Sequence, residues 1–494
     1  MKTFEVPGVA VAIVKDGRVV FSKGYGVRRL GEPALVDENT LFGIASNTKA
    51  FTAAGLAILV DEKKLAWDDP ANKHLPGFQM YDPWASREVS VRDLLSHRAG
   101  LGLGQGDLLF WPDTNVSRAE VVAAARHLKP TTSMRTRYAY NNLMFVVAGE
   151  VIANVSGQSF DDFTRDRIFR PLGMNDTVIS ASTFKPGVNF AVPHSRGWRF
   201  RGELKPIHWT QDNTWAAAAG IKTNIKDLSK WVIAQLNRGQ IDGSRRLFSE
   251  AVSTDMWTPA ISLRPSEPQI AALKPTKPNF SGYGLGWQLR DYRGRKIVSH
   301  GGALTGMLST VQLVPEEKLG IIVLSNQEEG GLMSSVVYRI LDHYFGVTTP
   351  TDWIAAYKEQ REKNLRREWA AEEKLTVERN ATSKPSLEPA RYAGDYTDPW
   401  YGKATIALEN GGLVLRMTRT PAMIADLQYW QYDTFKAVFR DPTVPDAFLT
   451  FTLDHDGKIT EMKMVPVSEL ADFSFDYQDL LFSPVRAKEK AASE

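Results

Sequence analysis

The chain has 494 residues, 43% of them apolar and 24% charged, with a formal net charge of +3. That length exceeds one ordinary core and points to two or three domains, while so small a net charge gives no argument for a nucleic-acid partner. The absence of cysteine removes disulfides, thiol nucleophiles and cysteine–zinc sites together.

Residues 1–5 run straight into strand-like sequence. No charged stretch followed by an apolar one marks a signal peptide there, so the expectation is a cytoplasmic protein or one whose leader is removed. The apolar run 9–14, then Lys15-Asp16-Gly17, then Arg18-Val19-Val20-Phe21, predicts a β-hairpin around Asp-Gly. Helical periodicity follows over 52–62, 118–127, 143–155 and 226–236, between long loops rich in Trp, Pro and Gly. A second strand pair is predicted at 310–314 and 319–324, and a helix at 334–344 that packs back on the sheet. Strands at both ends with helices between predict an α+β fold: one antiparallel sheet flanked by helices, plus an all-helical lobe.

The charge-dense run 357–373 reads as a solvated helix and 380–389 as a linker. Short alternating strands then recur at 404–408, 413–417, 434–439, 447–453 and 459–465, which predicts a small antiparallel β-barrel domain. The domains are therefore expected at 1–350, 351–390 (charged helix and linker) and 391–485, with a tail at 486–494. No apolar run reaches the roughly 18 residues of a membrane span.

Three short stretches carry chemistry. In Ser46-Asn47-Thr48-Lys49, a serine at a helix start and a lysine three residues on share one face. A serine hydroxyl needs a nearby base, and a lysine in a dry site can help supply one. Taken alone the tetrapeptide is common, and an N-cap serine with a solvated lysine is the blander reading. In Tyr140-Asn141-Asn142, before a helix, a phenol can relay the serine proton and an amide can bind a substrate carbonyl. In His300-Gly301-Gly302-Ala303, two glycines admit a ligand against the backbone. An edge strand there would offer the Ala303 amide to an oxyanion, and His300 would face the cleft as a donor.

In this order, Ser-x-x-Lys, Tyr-x-Asn and His-Gly-Gly resemble the serine β-lactamase and penicillin-binding-protein superfamily, nearest its class C-related peptidases and esterases. Further landmarks are Pro7-Gly8-Val9, Gly24-Tyr25-Gly26, Leu94-Leu95-Ser96-His97-Arg98, Pro171-Leu172-Gly173-Met174 and Tyr283-Gly284-Leu285-Gly286-Trp287. The resemblance covers about residues 4–345. It implies Ser46 as the acylated nucleophile and Lys49 with Tyr140 as the general-base pair. Asn142, His300, Gly301 and Gly302 would bind substrate, and the Ser46 and Ala303 backbone amides would form the oxyanion hole. No cofactor or metal is implied. His300 stands where class C β-lactamases have the lysine of Lys-Thr-Gly, which looks instead like the D-aminopeptidase and D-amino-acid amidase branch. The C-terminal barrel resembles the lipocalin-like domain of several such peptidases.

The activity this implies is cleavage of amide or peptide bonds, with D-amino-acid-containing substrates in view, through an acyl-Ser46 intermediate. A promiscuous carboxylesterase with weak or no β-lactamase activity is one alternative, and a non-catalytic peptidoglycan- or penicillin-binding protein another. An amine acceptor in place of water would make the same acyl-enzyme a transferase. The implied partner is a small peptide, amide or ester; oligomeric state stays open. Relatives carry a helix and export signal before the first strand, so a periplasmic or secreted bacterial form is expected, with a cytoplasmic one left open. His97 reads as a buried structural histidine, Asp454-His455-Asp456-Gly457 as a hairpin turn, and Trp215 as cleft wall.

Overall fold

Asp16 and Gly17 take φ values of 51° and 77°, the two left-handed positions a type I′ turn requires, so Gly8–Lys15 (β1) folds back on Arg18–Gly26 (β2). The computed structural model describes residues 1–180, 184, 187–211 and 213–485; the expected tail 486–494 lies outside them. The second edge of β1 pairs antiparallel with Leu319–Ser325 (β8), joining the two ends of the first domain. Between them in sequence come Ile261–Leu263 (β3), Ser281–Tyr283 (β4), Gln288–Tyr292 (β5), Arg295–Leu304 (β6) and Met307–Val314 (β7). All eight form one antiparallel sheet in the order β2-β1-β8-β7-β6-β5-β4-β3.

β1 and β8 are buried on both faces, which is why each reads as an unbroken apolar run rather than an alternation. One face meets the helical lobe, where Thr48–Asp61 (α1), Arg118–Ala124 (α2), Leu143–Ser156 (α3), Ala216–Ala219 (α4) and Ile225–Leu236 (α5) pack. α1 is buried along nearly its whole length, and its small residues (Ala50, Ala53, Ala54, Gly55, Ala57) let α3 and α4 come close. The other face is covered by Gly330–Tyr344 (α6), as expected of the 334–344 segment, over a separate apolar cluster that includes Val9, Val11, Val323 and Leu341.

The charged run extends further than predicted, as one helix Trp353–Glu378 (α7), and it is not solvated all round. Trp353 and Ala356 are buried, Tyr338 stacks on Trp353 at 4.9 Å, and Arg361 pairs with Glu329. Near its far end Arg199 bridges Glu372 at 2.8 Å. The charges that made it look solvated are partly spent on tying it down.

The C-terminal barrel closes with eight strands, as the antiparallel β pattern suggested: Gly394–Asp398 (β9), Gly402–Glu409 (β10), Gly412–Met417 (β11), Ile424–Gln431 (β12), Thr434–Phe439 (β13), Ala447–Leu453 (β14), Ile459–Pro466 (β15) and Leu481–Pro484 (β16). β9, β12 and β16 were not legible: they carry Asp and Gly, Gln, or Pro, and the outer two exist through the pairing that closes the ring. Tyr392, Tyr396, Phe435 and Phe451 fill the interior. Asp454–Gly457 forms a hairpin turn, with Asp454 bonded to Lys458 across it. No single helix among the described residues is long and apolar enough to cross a membrane.

Candidate active site

The chain turns sharply before Ser46: Ala45 sits at φ 48°, a left-handed conformation that costs free energy for a residue with a Cβ. The turn is held from below, where Ser309 Oγ donates to the Ile44 carbonyl at 2.6 Å and accepts from Asn47 Nδ2 at 2.7 Å. Ser46 is partly exposed, while the other residues between Leu41 and Phe51 are buried. α1 starts two residues later and its first turn carries Lys49 beneath the serine, fully buried.

Lys49 Nζ lies 2.9 Å from Ser46 Oγ, 2.7 Å from Asn142 Oδ1 and 3.0 Å from the Ala218 carbonyl. The small side chains of α4 are what allow a main-chain carbonyl so near. Three N–H donors meet three acceptors, so the ammonium is satisfied. Neutral Lys49 would keep two donations and turn its lone pair on the serine hydroxyl. Burial favours that form, pulling Lys49 from 10.5 to about 7 against the opposing charge of Asp107.

Asn142 is the N-cap of α3, but its side chain does not cap that helix. It is drawn to Lys49 by its oxygen and donates through Nδ2 to Asp107 Oδ2 at 2.7 Å. Both its polar ends are thus occupied within the chain, although it borders the cleft expected to hold substrate. Asp107 also accepts from Ser474 Oγ at 2.8 Å, and burial lifts its carboxyl to about 7. Nothing in the sequence singled out Asp107 or Ser474.

Tyr140 presents its ring to Lys49, with Nζ 4.8 Å from the centroid. Its hydroxyl is buried with no well-formed hydrogen bond, and burial raises its pKa well above 10 while the Ser46 hydroxyl opposes that shift. His97, buried as expected, stacks behind Tyr140 at 4.2 Å and accepts from the Asn141 amide at 3.0 Å. Burial holds its pKa well below 6.5, so it is a neutral support for the phenol ring.

His300–Ala303 lie inside β6, an inner strand of the sheet rather than the edge strand expected there. The open edge is nonetheless local, because β5 pairs with β6 only as far as Gln288–Ser299. Counting from the Leu304–Met307 pair that closes the β6–β7 turn, the antiparallel alternation points the Ala303 N–H away from β7 and into this gap. A Cβ on Gly302 would stand 2.1 Å from the Ile44 carbonyl, so glycine there is demanded by the turn before Ser46 itself. A Cβ on Gly301 would meet nothing closer than 3.9 Å. The expected donor role of His300 meets a different geometry. Its Nδ1–H donates to the Gly301 carbonyl at 2.6 Å, its Nε2 accepts from the Tyr283 hydroxyl at 2.9 Å, and burial lowers its pKa to about 3. It borders the cleft as a neutral ring with both nitrogens spent.

These residues border one cleft of about 790 Å³, lined by Ser46, Tyr140, Asn142 and residues 300–303, with Lys49 behind. The structure therefore gathers the candidate catalytic and substrate-binding residues around one hydroxyl. It also adds a wall from the barrel. Between β15 and β16 the segment 472–475 enters the cleft, where Phe473 meets Tyr140 edge-on at 5.6 Å. Phe475 meets Trp111 at 6.3 Å, and Trp111 meets Trp215 at 5.2 Å, so Trp215 is cleft wall as expected. The buried Asp476 holds this segment down, accepting from the Gly106 and Leu108 amides at 2.6 and 3.0 Å. Among the described residues no group of three or more His, Cys, Asp or Glu gathers as a metal set.

Comparison with known proteins agrees with this architecture. The family model described as Beta-lactamase matches residues 1–344, and the one described as Domain of unknown function (DUF3471) matches residues 378–484. Unguisins hydrolase ungD' of Aspergillus campestris is 29% identical over 419 residues, covering 82% of this chain and 75% of that protein. Protein flp of Staphylococcus aureus is 27% identical, covering 68% of this chain and 62% of that protein. Among solved structures, the octameric penicillin-binding protein homologue from Pyrococcus abyssi has a TM-score of 0.59 at 21% identity, over 98% of this chain and 97% of that one. D-amino acid amidase from Ochrobactrum anthropi SV3, complexed with L-phenylalanine amide, has a TM-score of 0.54 at 24% identity, over 65% and 86%. These two structural likenesses speak to the fold.

Proposed function

The chain belongs to the beta-lactamase family, and on that premise we propose that it hydrolyses amide bonds of small peptides through an acyl-Ser46 intermediate. The observation that carries this reading is the fully buried Lys49 amine bonded to a solvent-reachable serine hydroxyl at 2.9 Å. With its pKa near 7, a large fraction of Lys49 is neutral at neutral pH and is the base that receives the Ser46 proton as Oγ attacks the carbonyl. The Tyr140 phenol, kept protonated by burial, relays that proton to the leaving nitrogen. The Ser46 and Ala303 amides stabilise the oxyanion. The C–N bond breaks, the amine departs with the proton, and water repeats the sequence on the acyl-enzyme to release the acid.

The similar proteins, an unguisins hydrolase and a D-amino acid amidase, support amide bonds and favour testing D-residues. The apolar wall of Trp111, Trp215 and Phe475 suits a bulky apolar acyl group, carried by an amide or an ester alike, and an esterase is the second reading. Intact-mass analysis after mixing with an activated ester, a β-lactam and D- and L-aminoacyl amides tests both. Acylation at Ser46 with turnover of amides supports the first reading; turnover of esters alone moves the conclusion to the second; no adduct on Ser46 with any of them ends both.

A further inference from the structure

The cleft does not stop at the nucleophile. Its lining extends from Gly301, beside the gap left where β5 stops pairing with β6, to Arg290, Gln312, Ser334, Tyr338 and Tyr357 on the opposite face of the sheet. Strand alternation explains the change of face. On β7, Ser309 points inward to the nucleophile turn, so Thr310 and Gln312 point outward. On β5, Leu289 is in the inner core and Arg290 is outward.

Arg290 is half-buried, its guanidinium 5.5 Å from the Tyr338 ring centroid. Three neighbouring arginines on this side of the molecule are matched to carboxylates: Arg293 to Asp342, Arg295 to Glu317 and Arg361 to Glu329. Among the described residues no carboxylate makes an ion pair with Arg290. Its Nη1 and the Gln312 Oε1 are buried without a hydrogen-bond partner. A buried N–H donor left without a partner is costly unless an acceptor meets it, and a planar guanidinium beside an aromatic ring matches a carboxylate in two-point geometry.

We propose that Arg290 anchors a remote subsite for a carboxylate of the peptide substrate, reached from Ser46 along β6 through the opening at Gly301. This deepens the amide-hydrolase reading and rests on it. Arg290 is paired with Ile297 and the oxyanion amide is at Ala303, six positions along β6, so the subsite lies roughly 20 Å from the scissile carbonyl. An extended peptide spans that distance in about six residues. The site therefore selects longer acidic peptides over single amino-acid amides.

Binding to a Ser46→Ala protein tests this without requiring turnover. The probes are N-acetyl-hexaalanine as free acid and as carboxamide, in L and D series. A third probe is the carboxamide with a terminal Glu, which separates a C-terminal carboxylate from an acidic side chain. At least one carboxylate form is expected to bind ten-fold or more tighter than its neutral counterpart. That preference should vanish in Ser46→Ala with Arg290→Gln, persist in part with Arg290→Lys, and be absent between the acid and carboxamide of N-acetyl-trialanine, tripeptides too short to reach. Equal affinity of acid and neutral hexapeptides overturns the proposal, as does an undiminished preference in the Arg290→Gln protein or the same preference in tripeptides. Loss of the nucleophile reading would instead show as absent acylation of the parent protein by activated esters.

Discussion

Replacing Asp107 by Asn should move the acid limb of the acylation pH profile downward, because the charge of Asp107 is what opposes the fall of the Lys49 pKa. The two groups are joined through the Asn142 amide by hydrogen bonds of 2.7 Å on each side. That geometry puts the charges roughly 7 Å apart, so at an effective dielectric of about 20 their attraction is about 2.4 kcal/mol, or ~1.7 pH units on Lys49. Burial lifts Asp107 itself to about 7, so it is only part ionised near neutrality and a shift of about one unit is expected. The sign is determined by the base. Neutral Lys49 is the reactive form, so lowering its pKa extends activity to lower pH, from a midpoint near pH 7 to about pH 6. The introduced carboxamide can still accept through its oxygen from Asn142 and Ser474. The assay is kcat/KM for a p-nitrophenyl ester from pH 5 to 9, with the parent protein in parallel. An unmoved acid limb, or one displaced to higher pH in a folded variant, refutes the coupling.

Lys49→Ala and Tyr140→Phe should each lower kcat/KM by at least ~100-fold, the usual scale for loss of proton-transfer assistance; near-parent rates for both in a steady-state ester assay would break the mechanism. Gly302→Ala should lower kcat sharply, because its new methyl would collide with the Ile44 carbonyl that sets the nucleophile turn, whereas Gly301→Ala should leave the melting temperature unchanged and act on KM; reversed effects in kinetics and thermal melts would undo that assignment. Asp476→Ala leaves two buried amides unsatisfied, at about 1–3 kcal/mol each, and frees the barrel segment that walls the cleft. It should lower the melting temperature and make residues 467–476 sensitive to limited proteolysis, and unchanged protection would count against the anchoring role.

The parts of the site that were legible share a physical origin. Ser46 and Lys49 are three residues apart at a helix start, so chain geometry alone puts them on one face. The Asp-Gly hairpin and the apolar runs of β1 and β8 are equally local signals. The extent of α7 and the strands at 394–398, 424–431 and 481–484 were not local: the helix is anchored by ion pairs to distant elements, the first and last strands by ring closure, and 424–431 by pairing with a neighbour on each edge. Asp107 and Ser474 lie 367 residues apart, and no spacing rule links a glycine-flanked aspartate to a serine in a loop of another domain.

Near-neighbour relations along the chain carry the fold class, the hairpins, the helix that holds Lys49 and the Ser-x-x-Lys spacing. Burial and distant partners appear only once the chain is packed. Packing set Lys49 near 7 and His300 near 3. It brought a barrel loop against Tyr140, and it left Arg290 without an anion of its own. A side chain's chemistry is intrinsic, whereas its charge state and availability are imposed by whatever the rest of the chain packs around it.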